Sequence, residues 1–125
     1  MDQRELDINR DLTNLFIGAR PSTVVMTPYA RVQQANGQYK QVAQPARFPQ
    51  TVRVVELAPA VATSTRIVLD DGTERRVDYT IIAPYNAVIA VGDRFTFQGD
   101  PMEVLQVDST NGYEVRAAVV RRLSP

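Results

Sequence analysis

With no histidine and no cysteine among 125 residues, carboxylates are the side chains left to carry out chemistry. The missing imidazole removes every triad or dyad that uses it as a base, and every histidine metal site. The missing thiol removes cysteine nucleophiles and zinc thiolates. No P-loop, dinucleotide fingerprint or zincin motif is present. Asp70 and Asp71 beside Gly72 suggest a calcium loop, but the EF-hand spacing is lacking. An Asp-Gly pair at a hairpin tip has a complete backbone explanation, and the turn reading is the stronger. Asp93 in VGDRF and Asp100 in QGDP also stand where turns need short polar side chains. The five tyrosines could stack on the bases of a single strand. In alternating strands such rings more often cap a core with the hydroxyl in water, and that reading is preferred. The Arg-Arg doublets at 75–76 and 121–122 are too short to make a basic patch. The expectation is a protein that is not an enzyme and holds no metal or cofactor.

The composition suits a soluble globular chain of one domain, 1–125, with 44% hydrophobic and 22% charged residues. Formal net charge is zero, which argues against a dedicated nucleic-acid binder. All the basic residues except Lys40 are arginine, a bias that a GC-rich genome produces without physical meaning. Nothing points to disulfides, no apolar run approaches the roughly 20 residues that span a bilayer, and the first thirty residues lack a secretory signature. The expected site of synthesis is the cytoplasm.

The elements that position these residues follow from periodicity. MDQRELDINRDLTNLFIGARP reads as a helix over 3–17 within a segment 1–18, with Ile8, Leu12, Leu15 and Phe16 as its apolar stripe. Asp2 and Glu5 resemble a capping box, and Gly18 and Pro21 supply the stop. The stripe is expected to bury itself in its own domain's core, with a neighbouring subunit as the other outcome. From residue 22 to 123 the period becomes two. STVVMTPYARV is strand-like, with Pro28 marking an edge or a bulge. Residues 33–50 form the longest irregular stretch, despite Asn36-Gly37. TVRVVEL is a second strand, and 58–64 another connection. Residues 66–85 read as a hairpin with Asp71-Gly72 at its tip. On its second arm Val77, Tyr79 and Ile81 face opposite Arg76, Asp78 and Thr80. Phe95 and Phe97 share a face, and Tyr113, Val115, Ala117 and Val119 alternate with Glu114 and Arg116 beyond the turn at Asn111-Gly112. The fold class is mainly β: a small antiparallel β-barrel of six to eight strands with an N-terminal α-helix and long projecting loops.

The ordered set ELDINRDLTNLFIGARPSTVVMTP, PQTVRVVEL, DDGTERRVDYTIIAPYNAVIAVGDRF and GDPMEVLQVDSTNGYEVRAAVVRR resembles the head-to-tail stopper (head-closure) proteins of long-tailed bacteriophages, chiefly those infecting actinobacteria. The resemblance covers nearly the full length and rests on diffuse structural motifs. It implies a virion protein of the neck, whose copies form a sixfold or twelvefold ring below the portal and its adaptor. Such a ring seals the packaged genome and docks the tail terminator or tail tube. Double-stranded DNA passes through without sequence-specific binding, and no membrane is involved. A head-tail adaptor or tail-completion protein of the same neck is the alternative reading, and a small nucleic-acid-binding barrel a further one.

On that reading the loop 34–49 meets the channel or a neighbouring ring, with Asn36, Gly37, Gln38, Tyr39, Lys40, Arg47 and Phe48 as its candidates. Residues Ala58, Pro59, Val61 and Thr63 form a second candidate loop. Arg4, Ile8, Leu12, Leu15 and Phe16 form the candidate helix contact with the adaptor or a sister subunit. Asp71, Gly72, Asn111 and Gly112 are expected to make hairpin turns. A ring layer needs a stiff barrel and projecting tips, and opposite-signed patches can meet around it.

Overall fold

Asp2 starts the single helix, in extended conformation at φ −79°, where its carboxylate accepts the Glu5 backbone N–H at 2.8 Å. The computed structural model describes residues 1–57, 66–68, 72 and 74–122. Helix α1 runs Gln3–Ala19, so it continues through Gly18, where a stop was expected. It ends because Pro21 disfavours helical geometry at Arg20, which sits at φ −152°, ψ 71°.

The helix does not bury the stripe assigned to it as its core contact. Thr13 and Ile17 are its buried residues, with Leu6, Asn9 and Arg10 half-buried. At 100° per residue these positions occupy an arc centred roughly 130° from that of Ile8, Leu12, Leu15 and Phe16. The helix packs on strands β4 (Gln50–Glu56) and β7 (Tyr79–Pro84) from outside the barrel, where Ile82 is buried. A curved sheet offers a narrow contact, which a small Thr and one Ile fill.

The barrel is a six-stranded antiparallel sheet. Its order is β1 (Ser22–Val24), β4, β7, β10 (Glu114–Arg121), β9 (Asp100–Asp108) and β8 (Arg94–Phe97). Closure comes just past β1: Thr27 and Arg94 exchange backbone hydrogen bonds at 2.8 and 3.0 Å. This single bridge draws the two ends of the sheet together and leaves the barrel nearly closed. Val24, Met26, Val52, Ile81, Phe95, Met102, Val104 and Val119 fill the interior. Tyr79 meets Phe97 edge-on at 6.0 Å between centroids. Val77, Tyr79, Ile81, Phe95, Val115, Ala117 and Val119 are all buried, and Phe97 packs against them, as alternation anticipated. Tyr113 is only half-buried, since β10 begins at Glu114. A bulge opposite Ala118 and Val119 leaves Leu105 as the extra residue of β9.

Two expectations about strands need correction. Residues 33–50 are not irregular throughout. Strands β2 (Tyr29–Gln33) and β3 (Tyr39–Ala43) pair as a hairpin outside the barrel sheet, with Gly37 at φ +85° in its turn. The segment 66–85 is not one hairpin. Among the described residues, strand β5 (Arg66–Val68) pairs with β6 (Glu74–Arg76) alone, and the strand run breaks at Val77–Asp78 before entering the barrel as β7. Asp78, expected to face solvent, is buried and ties the break together. Its carboxylate accepts the Arg121 N–H at 3.0 Å and meets Arg76 at 3.0 Å, while its own N–H reaches the Val119 carbonyl at 2.9 Å.

Candidate interaction surfaces

Among the described residues, the candidate carboxylates Asp93 and Asp100 both face arginines. Asp93, 1% exposed, accepts from Nε and Nη2 of Arg47 at 2.9 and 3.2 Å and from the Ala90 N–H at 3.0 Å. It is therefore a buried anchor rather than only a turn residue. Its hydrogen bond raises the Arg47 pKa above the usual guanidinium value, which favours the charged guanidinium. Asp100, expected in a turn, is the first residue of β9 and faces Arg121 at 3.5 Å. Glu103 meets Arg94 at 3.6 Å and also Arg122, and Glu114 pairs with Arg116. Asp70 and Asp71 lie outside the described residues.

Four of the five tyrosine rings are engaged. The guanidinium groups of Arg94, Arg31 and Arg10 lie over Tyr29, Tyr39 and Tyr85 at 4.0, 4.1 and 3.7 Å, and Tyr79 is in the core. Burial pushes the Tyr79 hydroxyl pKa up, helped by nearby Glu56. Faces covered in this way are poorly placed to stack on bases.

What projects is the β2–β3 ribbon. Five-residue strands make it about 17 Å long. Its tip is closed by hydrogen bonds from Gln34 N–H to the Gln38 carbonyl at 2.6 Å and from Gln38 N–H to the Asn36 side chain at 3.0 Å. Asn36, Gly37, Gln38, Tyr39 and Lys40 are all exposed there. Arg47 does not belong with them: it turns inward to Asp93 and clamps the ribbon's return to the barrel end. Phe48 beside it is 89% exposed, on the rim of an open groove of about 520 Å³ formed with Ala46, Gln50, Pro84, Ala87 and Val88. Ala58, Pro59, Val61 and Thr63 lie outside the described residues.

The helix presents the second surface. Ile8, Leu12, Leu15 and Phe16 are between 41% (Phe16) and 70% (Leu15) exposed, and Arg4 stands exposed at the helix's beginning. The Arg53 guanidinium lies 3.8 Å over the Phe16 ring and donates to the Phe16 carbonyl at 3.1 Å, which holds that end of the stripe in place. Arg10 pins the other half, donating to the Gly112 carbonyl at 3.1 Å. At that turn the Asn111 side chain accepts the Tyr113 and Glu114 N–H groups, and Gly112 takes φ +78° with Leu6 of the helix close by. Gly72 has the same left-handed geometry at φ +85°, while Asp71 is outside the described residues.

No family model matches the chain, and no curated protein matches it. Among solved structures, a chain from the "virion of native gene transfer agent (GTA) particle" is similar at 16% identity. The match covers 82% of this chain and 96% of that one, with a TM-score of 0.48. A likeness of that size decides neither family nor role.

The signals that sequence reasoning missed are non-local. Arg47 and Asp93 stand 46 residues apart, and nothing in either neighbourhood marks the pairing. One charge pattern was readable: residues 12–55 contain no acid, only Arg20, Arg31, Lys40, Arg47 and Arg53 among charged types. Among the described residues no helix is long and apolar enough to cross a membrane.

Proposed function

We propose that this chain is a structural subunit of a bacteriophage virion neck, a ring-forming head-to-tail stopper beneath the portal and adaptor that closes the filled head and receives the tail. The observation that carries this reading is the helix with two working faces: one packs on the barrel, and the other leaves four large apolar side chains in water. A contiguous apolar strip on an otherwise mixed surface marks a protein contact. The nearly closed barrel supplies stiffness, and the ribbon is held at its base by the Arg47–Asp93 pair. On this reading the work is mechanical. Copies touch one another and the rings on either side, and DNA passes without being read.

An adaptor or tail-completion role in the same neck would use the same surfaces against different neighbours, and cross-linking in intact particles separates the three. The acid-free stretch favours a second reading, a nucleic-acid-binding barrel. The arginines lying over Tyr29 and Tyr39 weigh against it, and absence of a gel shift at low salt removes it.

The deciding experiment replaces residues 31–41 by Asn-Gly, which joins Ala30 to Val42 through a two-residue turn. The barrel is expected to fold, while particles lose DNA or fail to join tails. Infectious particles at normal yield would remove the ribbon's role. Absence of the chain from particles would remove the whole reading.

A further inference from the structure

The outward helix stripe and the ribbon are complementary to each other rather than to themselves. The stripe is bordered on one flank by Asp11, with Arg4 and Asp7 towards the N-terminus along the same side, and all three are exposed. On the ribbon, register places Val32 opposite Lys40 and Ala30 opposite Val42, so these four share one face. That face is apolar with a single cation, and Val32 is 40% exposed on it. No acid occurs anywhere on the ribbon.

We infer that the helix stripe of one copy docks on the Val32–Lys40–Val42 face of the ribbon of the next copy, in a head-to-tail contact. The inference rests on the ring reading above and names its contact pair. Charge selects this pairing over the symmetric ones. Two stripes packed about a two-fold axis near Leu12 would set Asp11 against Asp11. Two ribbons face to face would set Lys40 against Lys40. Stripe on ribbon sets Asp11 against Lys40 and apolar against apolar.

Topology agrees. The helix lies over β4 and β7, whereas the ribbon leaves the barrel where Thr27 pairs with Arg94, so the two surfaces occupy different parts of the wall. A contact between unlike surfaces at different positions propagates, and closes as a ring when the rotation allows. The footprint, about 12 Å of helix by 10 Å of ribbon, is far below the ~800 Å² per partner of stable complexes. The free chain is therefore expected to be monomeric, and the contact to form where neighbours are already held side by side.

The chain's lack of cysteine makes the test clean. Particles carrying the double variant Leu12→Cys, Val32→Cys are oxidised and run on a denaturing gel, with each single variant as a control. The expected result is a ladder of disulfide-linked chains from the double variant and none from either single one. Adding Lys40→Glu is expected to reduce the ladder at least several-fold, and adding Asp11→Lys to that chain to restore it. Dimers from Leu12→Cys alone, or no ladder although the chain is in the particle, would overturn the contact and leave the ring reading standing. A ladder unchanged by Lys40→Glu would overturn the charge pairing. A chain missing from particles would overturn the function itself.

Discussion

Arg47 holds the carboxylate of Asp93 in a site where water has little access, so removing one partner strands the other. Arg47→Ala leaves the buried Asp93 carboxylate with the Ala90 N–H but without its guanidinium, and is expected to cost about 3 kcal/mol. Urea unfolding of the variant measures this directly, and a loss under 1 kcal/mol would mean that water reaches the pocket. Tyr79 gives a second, pH-dependent test. Its folded pKa lies above the ordinary value of 10.0, so the folded state keeps a proton that the unfolded state releases. The associated stability is complete below pH 10 and is lost as pH rises through the folded value. Thermal melts above pH 10 are expected to fall more steeply for the native chain than for Tyr79→Phe. Equal slopes would assign the alkaline loss to other groups.

At the scale of elements, the helix separates two kinds of apolar residue. Ile17, 4% exposed, lies in the barrel-facing arc, so Ile17→Ala is expected to cost about 2–4 kcal/mol. Leu15→Ser removes an equally apolar side chain from the outer stripe and is expected to change stability by no more than about 0.5 kcal/mol. Chemical denaturation of the two variants tests which face is which, and a large loss from Leu15→Ser would mean that the isolated chain already buries the stripe. The cap at Asp2 and the apolar period announced the helix. The choice of face was not legible, because both arcs repeat at helical spacing and the fuller one points outward. The ribbon escaped notice for a related reason. Alternation is written by burial on one side, and β2 and β3 have neither side in the core.

For the whole molecule, stability is expected to divide between a slow centre and a fast edge. Barrel amides on β7, β9 and β10 are paired on both sides, whereas each ribbon strand is paired on one side only. Native-state hydrogen exchange is expected to protect the barrel centre up to global unfolding. The ribbon amides between 31 and 41 should exchange at least about a hundredfold faster, a difference of roughly 3 kcal/mol in local opening. Equal protection would mean that the ribbon unfolds only with the barrel.

The amino-acid order alone determined the helix and its start, the inward faces of β7, β8 and β10, and the glycine turn at 112. Each is decided within a few residues, by capping, by alternation, or by the need for positive φ. Tertiary structure decided the rest: the inner face of the helix, the closure between Thr27 and Arg94, and the burial of Asp78 and Asp93. Those outcomes depend on which distant surface arrives opposite a residue, and a period in the chain carries no record of its partner's shape or charge.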